Sequence, residues 1–308
     1  MTITDAEIEA ADAAARDAAA KAGVRVRELA ELADLAAACR LFEEIWRPGP
    51  GNPTPLHAEL LRALTKAGNY ASGAYDVATG ELVGACMGFF GPPAEASLHS
   101  HIAGVLPGAL HRAVGFALKV HQRAWCLHRD TPTMHWTFDP LIRRNAYFNL
   151  VKLGARPAEY LPNFYGEMND SINSATETDR MLVHWDLRSD LAVAACAGQP
   201  GPASAAELAR GAVVALGSGA DGWPVAGPFG IGGPEGPPGS ARTVLIAVPA
   251  DVEGMRGTDP LCAAAWRTAL RGALAPLMER GGRVTGFDRD GWYVVALDSL
   301  KGSREGTP

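Results

Sequence analysis

The chain has 308 residues, 47% of them hydrophobic and 20% charged, with a formal net charge of −6. Such a length allows one large domain or two modest ones, and the ordinary composition excludes wholesale disorder. The acidic balance, 34 Asp and Glu against 28 Lys and Arg, argues against a broad nucleic-acid surface, and no run of about 18 apolar residues exists to span a bilayer.

Residues about 4–22 are Ala-rich but studded with Asp, Glu, Arg and Lys, which suits a helix and not a secretory signal, so the expected location is cytoplasmic. Val24 to Arg27 alternates as a short strand, and Leu29 to Trp46 carries apolar residues at helical spacing. The Pro- and Gly-rich stretch Arg47 to Pro55 ends that helix, and Leu56 to Ala67 begins another. Tyr70 to Asp76 and Leu82 to Phe90 predict an antiparallel hairpin turning on Ala78-Thr79-Gly80. A strand at Leu98 to Leu106 leads through Pro107-Gly108 into a helix over about 109–129. A strand at Met134 to Phe138 then ends at Asp139-Pro140, where Asp139 can cap a helix that runs to Gly154.

Strand pieces are expected at Asn163 to Glu167 and Asp179 to Leu187. Beyond about 190 come a helix-like stretch near Ala203 to Arg210, a strand near Ala212 to Leu216 and a Gly/Pro-rich loop, 217–241. The end of the chain predicts a strand at Thr243 to Val248, a helix from about Pro260 to Glu279, and a hairpin of Arg283 to Phe287 with Trp292 to Leu297. The five cysteines are widely spaced with no C-x-x-C pair, which suggests neither a disulfide framework nor a zinc site, and no metal cluster or Ser/His/Asp triad is indicated.

The start of the 109–129 helix is the most informative stretch. Its first turn carries Arg112, Gly115 and Ala117. A helix start offers N–H groups with no partner inside the helix and partial positive charge, and bare residues there let a phosphate approach them. The alternative is that small residues simply let the helix pack close to a sheet. Further along that helix, Lys119, His121, Arg123, His128 and Arg129 form a basic stretch expected to be a solvated face.

Arg112-x-x-Gly115-x-Ala117, with Val105 and Pro107 upstream, resembles the signature of the GNAT superfamily of N-acyltransferases, and the order of elements over about 24–187 is similar to that superfamily's. The string from Ser100-His101 through His135-Trp136-Thr137-Phe138-Asp139-Pro140 to Tyr165-Gly166 resembles a bacterial subgroup of GNAT acetyltransferases, and the likeness continues to Trp266-Arg267. The resemblance implies an α/β (α+β) fold: a central mixed, mostly antiparallel sheet with splayed strands, plus a C-terminal α/β extension. It implies an N-terminal helix at 1–23, an acyltransferase core at 24–188 and the extension at 189–300.

It also implies acetyl-CoA or another acyl-CoA as cosubstrate, with no metal, and a small-molecule amine as acceptor. The diphosphate would lie on the turn of Arg112, Ala113, Val114, Gly115, Phe116 and Ala117, and the pantetheine arm along Ala103, Gly104 and Val105. A carrier protein or aminoacyl-tRNA as donor, a non-catalytic acyl-CoA binder, and a homodimer are the open alternatives. The superfamily's usual tyrosine acid is missing, because aligning on Gly154 puts Leu150 at its position; Tyr147, Tyr160 or Tyr165 is then the candidate replacement, or the thiolate leaves unaided.

His99 and His101, two apart on one strand, share a face, and either can take the amine proton, His101 being nearer the expected splay; the alternative is a histidine that holds a neighbouring loop. Asn145 and Asn149, four apart on one helix face, and Trp136 are the candidate substrate contacts, with a core role the alternative for Trp136. Arg267 and Arg271 form a helical row suited to an anion or to surface salt bridges.

Overall fold

A computed structural model describes residues 2–47, 54, 56–166, 177–197, 207–208, 210–227 and 243–297. Two compact units divide the chain: one holds Met1–Trp136, Met168–Ala175 and His184–Gln199, the other Thr137–Glu167, Thr176–Val183 and Pro200–Pro308. Two of the boundaries between them, at 136/137 and 183/184, fall inside strands. Among the described residues no helix is long and apolar enough to cross a membrane.

In the first unit, helix α1 (Asp5–Ala22) opens with a capping box, Thr4 accepting from the Glu7 N–H while Glu7 accepts from the Thr4 N–H. Its buried stripe, Ala11, Ala15, Ala18 and Ala22, packs against α4 (Val114–Leu127). Gly23, at φ 65°, turns the chain into β1 (Val24–Glu28), antiparallel to β2 (Tyr70–Asp76). Helix α2 (Leu32–Trp46) and helix α3 (Ala58–Lys66) bury Leu35, Phe42 and Leu61 with Ala85 and Met87 of β3 (Leu82–Phe90). The hairpin of β2 and β3 has the predicted bounds, and β3 pairs antiparallel with β4 (Ser97–Val105).

β5 (Thr133–Phe138) and β7 (Arg180–Asp186) run through both units, and β6 (Arg156–Leu161) precedes β7. The sheet order is β1-β2-β3-β4-β5-β7-β6. The predicted strand at Asn163 to Glu167 is corrected by this arrangement. Residues 162–165 form a turn, with Asn163 at φ 45° and its side chain accepting from the Thr178 N–H, and Glu167 lies outside the described residues. The strand sits earlier in the chain despite Pro157, because β6 is an edge strand and the missing N–H breaks no ladder.

The 109–129 helix is also shorter than expected: a 3-10 turn at Pro107–Ala109 and a further turn precede Val114. The following helix is a single α-helical segment, α5 (Arg143–Tyr147), run on as a π-turn at Phe148–Lys152.

Short helices α6 (Asp190–Cys196) and α7 (Val252–Thr258), missed in the sequence, are too brief to show a period and are marked only by their caps, Ser189 and Asp251. In the second unit α8 (Pro260–Glu279) has the predicted bounds, with Asp259 as its cap. It packs on a five-stranded sheet ordered β11-β12-β10-β8-β9, made of β8 (Val213–Ser218), β9 (Pro224–Ala226), β10 (Thr243–Ala247), β11 (Arg283–Phe287) and β12 (Trp292–Ala296). Most of the 203–210 stretch, and residues 228–241 of the Gly/Pro-rich loop, lie outside the described residues.

Candidate functional site

β4 and β5 run parallel and pair only at Ser97, Leu98 and His99 with Thr133, Met134 and His135. Beyond that point they part. The same place on β4 carries a bulge: Met87 faces Ile102 and Gly88 faces Ser100, which leaves His101 without a partner on β3. Ala103, Gly104 and Val105 then pair with Cys86, Ala85 and Gly84 on one side. On their other side no strand pairs with them among the described residues.

From β4 the chain passes through two left-handed residues, His111 at φ 66° and Ala113 at φ 61°, into α4. Such alternation aims successive N–H groups into one concavity. The Ala117 N–H bonds the Ala113 carbonyl and no side chain caps the helix, so the amides of Val114, Gly115 and Phe116 have no acceptor within it. A Cβ on Gly115 would meet only Val105 Cγ2, at 3.7 Å. Packing therefore does not require glycine there, and the bare position leaves room over the amides; Ala117, by contrast, is fully buried and is small for packing.

Gly104 is different again, since its Cβ would stand 2.6 Å from Ile45 Cδ1 and 2.9 Å from Trp46 Cζ3. Arg112 is engaged within the protein: its Nη2 lies 2.7 Å from Asp76 Oδ2, which holds that carboxyl below its usual range. It ties the turn to the end of β2.

Both histidines lie beside the bulge. The His99 and His101 rings are 6.0 Å apart, and Phe89 packs against both at 5.0 and 5.7 Å. Burial, then the charges of His135, His101 and Lys119, pushes His99 down to about 4, and burial lowers His101 as well. Two histidines missed in the sequence extend this group, His135 at 5.1 Å from His99 and His184 at 6.1 Å from His135. Only the β4/β5 register brings His135 opposite His99, and no local pattern reveals that.

The basic stretch on α4 is not a solvated face. Lys119 and Arg123 are buried, and only His128 and Arg129 at its end are exposed. The Lys119 ammonium donates to Ser100 Oγ at 2.8 Å and to Gln122 Oε1 at 3.2 Å, and sits 3.7 Å from the Trp136 ring centroid. Burial pulls it down to about 8. Trp136 is itself buried, with Lys119 on its ring and Trp185 at its edge 5.9 Å away.

The remaining candidates belong to the second unit. Asn145 is half-buried and Asn149 buried. The Tyr147 hydroxyl accepts from Arg289 Nε at 3.1 Å, and the Tyr165 hydroxyl meets Thr137 Oγ1 at 3.1 Å. Tyr160 is buried and donates to Asp179 at 2.6 Å; burial and that carboxylate push its hydroxyl far up, which makes it a poor acid.

Asp139 does not cap the helix as expected: α5 begins at Arg143 with Ile142 at its cap position and no side-chain cap, and Asp139 closes the turn before it. It accepts from the Leu141 N–H, from Arg256 at 2.6 Å and from both Nη atoms of Arg267 at 2.8 and 2.7 Å. Burial raises its carboxyl, but the Arg267 hydrogen bonds and the charges of both arginines bring it down to about 2. The Arg267 pair is thus buried rather than on the surface, while Arg271 pairs with Asp179 and Glu177.

No protein-family model matches the chain, and no curated protein matches it. Solved structures do. The ribosomal-protein-S18-alanine N-acetyltransferase from Escherichia coli is 13% identical at a TM-score of 0.43, covering 54% of this chain and 95% of its own. The ribosomal-protein-S5-alanine acetyltransferase from Vibrio fischeri is 12% identical at a TM-score of 0.44, covering 54% and 94%. A protein of Salmonella typhimurium designated an acetyltransferase, with its cofactor acetyl-CoA, is 13% identical at a TM-score of 0.43, covering 54% and 95%. The strand order, the parting of β4 from β5 and the uncapped start of α4 are the features that the sequence's resemblance to the GNAT superfamily leads one to expect.

Proposed function

We propose that this protein is an acyl-CoA-dependent N-acyltransferase that moves the acyl group from a free coenzyme A thioester directly to the amine of a small molecule, an amino acid or a specialised metabolite, in the cytoplasm. The observation that carries this reading is the fork between β4 and β5 opening beside uncapped amides at the start of α4. The Val114, Gly115 and Phe116 amides, with the helix dipole behind them, suit a diphosphate. The unpaired edge of Ala103 to Val105 suits an amide-bearing arm that adds to it as a strand would. Arg112, held by Asp76, keeps the turn in place, and the backbone supplies the anion contacts.

In the reaction the amine nitrogen bonds the thioester carbon, the carbon–sulfur bond breaks, and the ammonium proton goes to a base. His101, at the bulge, fits that role, since partial desolvation by the surrounding protein favours its neutral form. A thiolate is the conjugate of a moderately weak acid and can leave without a donor.

The test is titration calorimetry of coenzyme A against wild type and Gly115→Asp, with thiol release from acetyl-CoA and succinyl-CoA measured over a panel of amines that includes peptide N-termini. Gly115→Asp sets a carboxylate over the amides; affinity is expected to fall about a hundredfold or more, roughly 2.7 kcal/mol, with an unchanged melting temperature. Unchanged affinity in the folded variant overturns the site, and transfer only to peptides overturns the acceptor class.

A further inference from the structure

Four imidazoles cross one face of the sheet: His101 and His99 on β4, His135 on β5 and His184 on β7, with successive ring centroids 6.0, 5.1 and 6.1 Å apart. The row crosses the sheet where β4 and β5 part, because His99 and His135 are the last paired residues of those two strands. Its two ends, His101 and His184, are exposed, and its middle members are half-buried. The opposite face of the same strands carries Ser100, Trp136 and Trp185, packed on the side of Lys119, so alternation along three strands sets the histidines apart from that core.

We infer that these four rings form a proton relay, which carries the proton released by the acceptor amine at His101 through His99 and His135 to His184 and on to bulk water; this rests on the transfer reading above. Each ring takes a proton on one nitrogen and releases one from the other, directly or through a bridging water, so the row returns to its starting state with one proton moved and no electron transferred. An acceptor bound at the fork covers His101, and the row then gives its proton an exit two strands away that does not pass the bound molecule.

The charged groups around the row leave it suited to this. Burial and then the neighbouring His184 lower His135, and Glu95, in the 3-10 turn Pro93–Glu95, offsets part of that. Burial first, then the two neighbouring rings and last Lys119 from the other face, disfavour a resting charge on His99. A ring that stays neutral at rest passes a proton on rather than keeping it.

The experiment uses the full chain with His135→Gln, His184→Gln and the double variant. Histidine titrations followed by NMR should show His99 moving up toward its ordinary range in His135→Gln, since a positive neighbour is lost; four independent titrations, unmoved by these changes, overturn the row. In dilute buffer kcat for thiol release should fall roughly tenfold or more in His135→Gln and in His184→Gln, with KM for the acyl-CoA unchanged and the rate restored by millimolar imidazole, which a merely structural loss would not give. Wild-type kcat in the double variant, with wild type active, overturns the relay and leaves the transferase standing. A wild type that binds no coenzyme A and releases no thiol removes both.

Discussion

Lys119 places an ammonium group in the interior, 4% exposed, with a hydroxyl, an amide oxygen and an indole face around it and no carboxylate paired with it among the described residues. An unfolded lysine titrates near 10.5 and this one near 8. Between those values the folded chain binds fewer protons than the unfolded one, so stability rises with pH across that window, and below about 8 the full cost of burial is present. Lys119→Met is therefore expected to raise the melting temperature at pH 7, by up to the order of 3 kcal/mol in stability, with the gain fading between pH 8 and 10.5. Thermal melts at pH 7 and pH 10 read this directly, and a lower melting temperature at pH 7 would show that the Ser100 and Gln122 hydrogen bonds outweigh the desolvation. The sequence could not reveal this site. A lysine followed by His121, Arg123 and Arg129 on a helix resembles any wetted face, and only the packing of α4 onto β4 and β5 decides otherwise. Asp139 looked like a helix cap because Asp-Pro precedes the helix, but it caps a turn and not α5, and its two arginine partners lie more than a hundred residues along the chain.

Elements with strong local signals were read almost to the residue: the hairpin of β2 and β3, joined by the turn at Ala78-Thr79-Gly80, and α8 from about Pro260 to Glu279. Those that depend on distant partners were not, such as β6, whose proline is tolerated only because of its edge position. The same distinction separates two glycines that look alike in the sequence. Gly104→Ala forces a methyl group into α2 at Ile45 and Trp46 and should cost about 1–3 kcal/mol of stability. Gly115→Ala meets only Val105 at ordinary contact distance and should leave the melting temperature within about 1 °C while weakening coenzyme A binding. Equal melting temperatures for the two variants would show that α2 yields to the added group.

Across the whole molecule acidic residues outnumber basic ones, 34 to 28, and the cations nearest the start of α4 are already engaged. Arg112 is paired with Asp76, and Lys119 and Arg123 are inside. Thiol release from acetyl-CoA at subsaturating donor should fall less than about threefold between 50 and 200 mM KCl, whereas a tRNA donor held by many phosphate contacts would lose roughly a thousandfold in affinity. A steep loss, or activity only with charged tRNA, would point to the polynucleotide donor. The division into two units also bears on how the molecule is made. The first unit is written in three separated pieces of the chain, the last being His184–Gln199. A ribosome must therefore release the chain through residue 199 before that unit has all its parts, and until β7 emerges the β5 side of the fork lacks its neighbour. No single cut by a protease can free either unit intact.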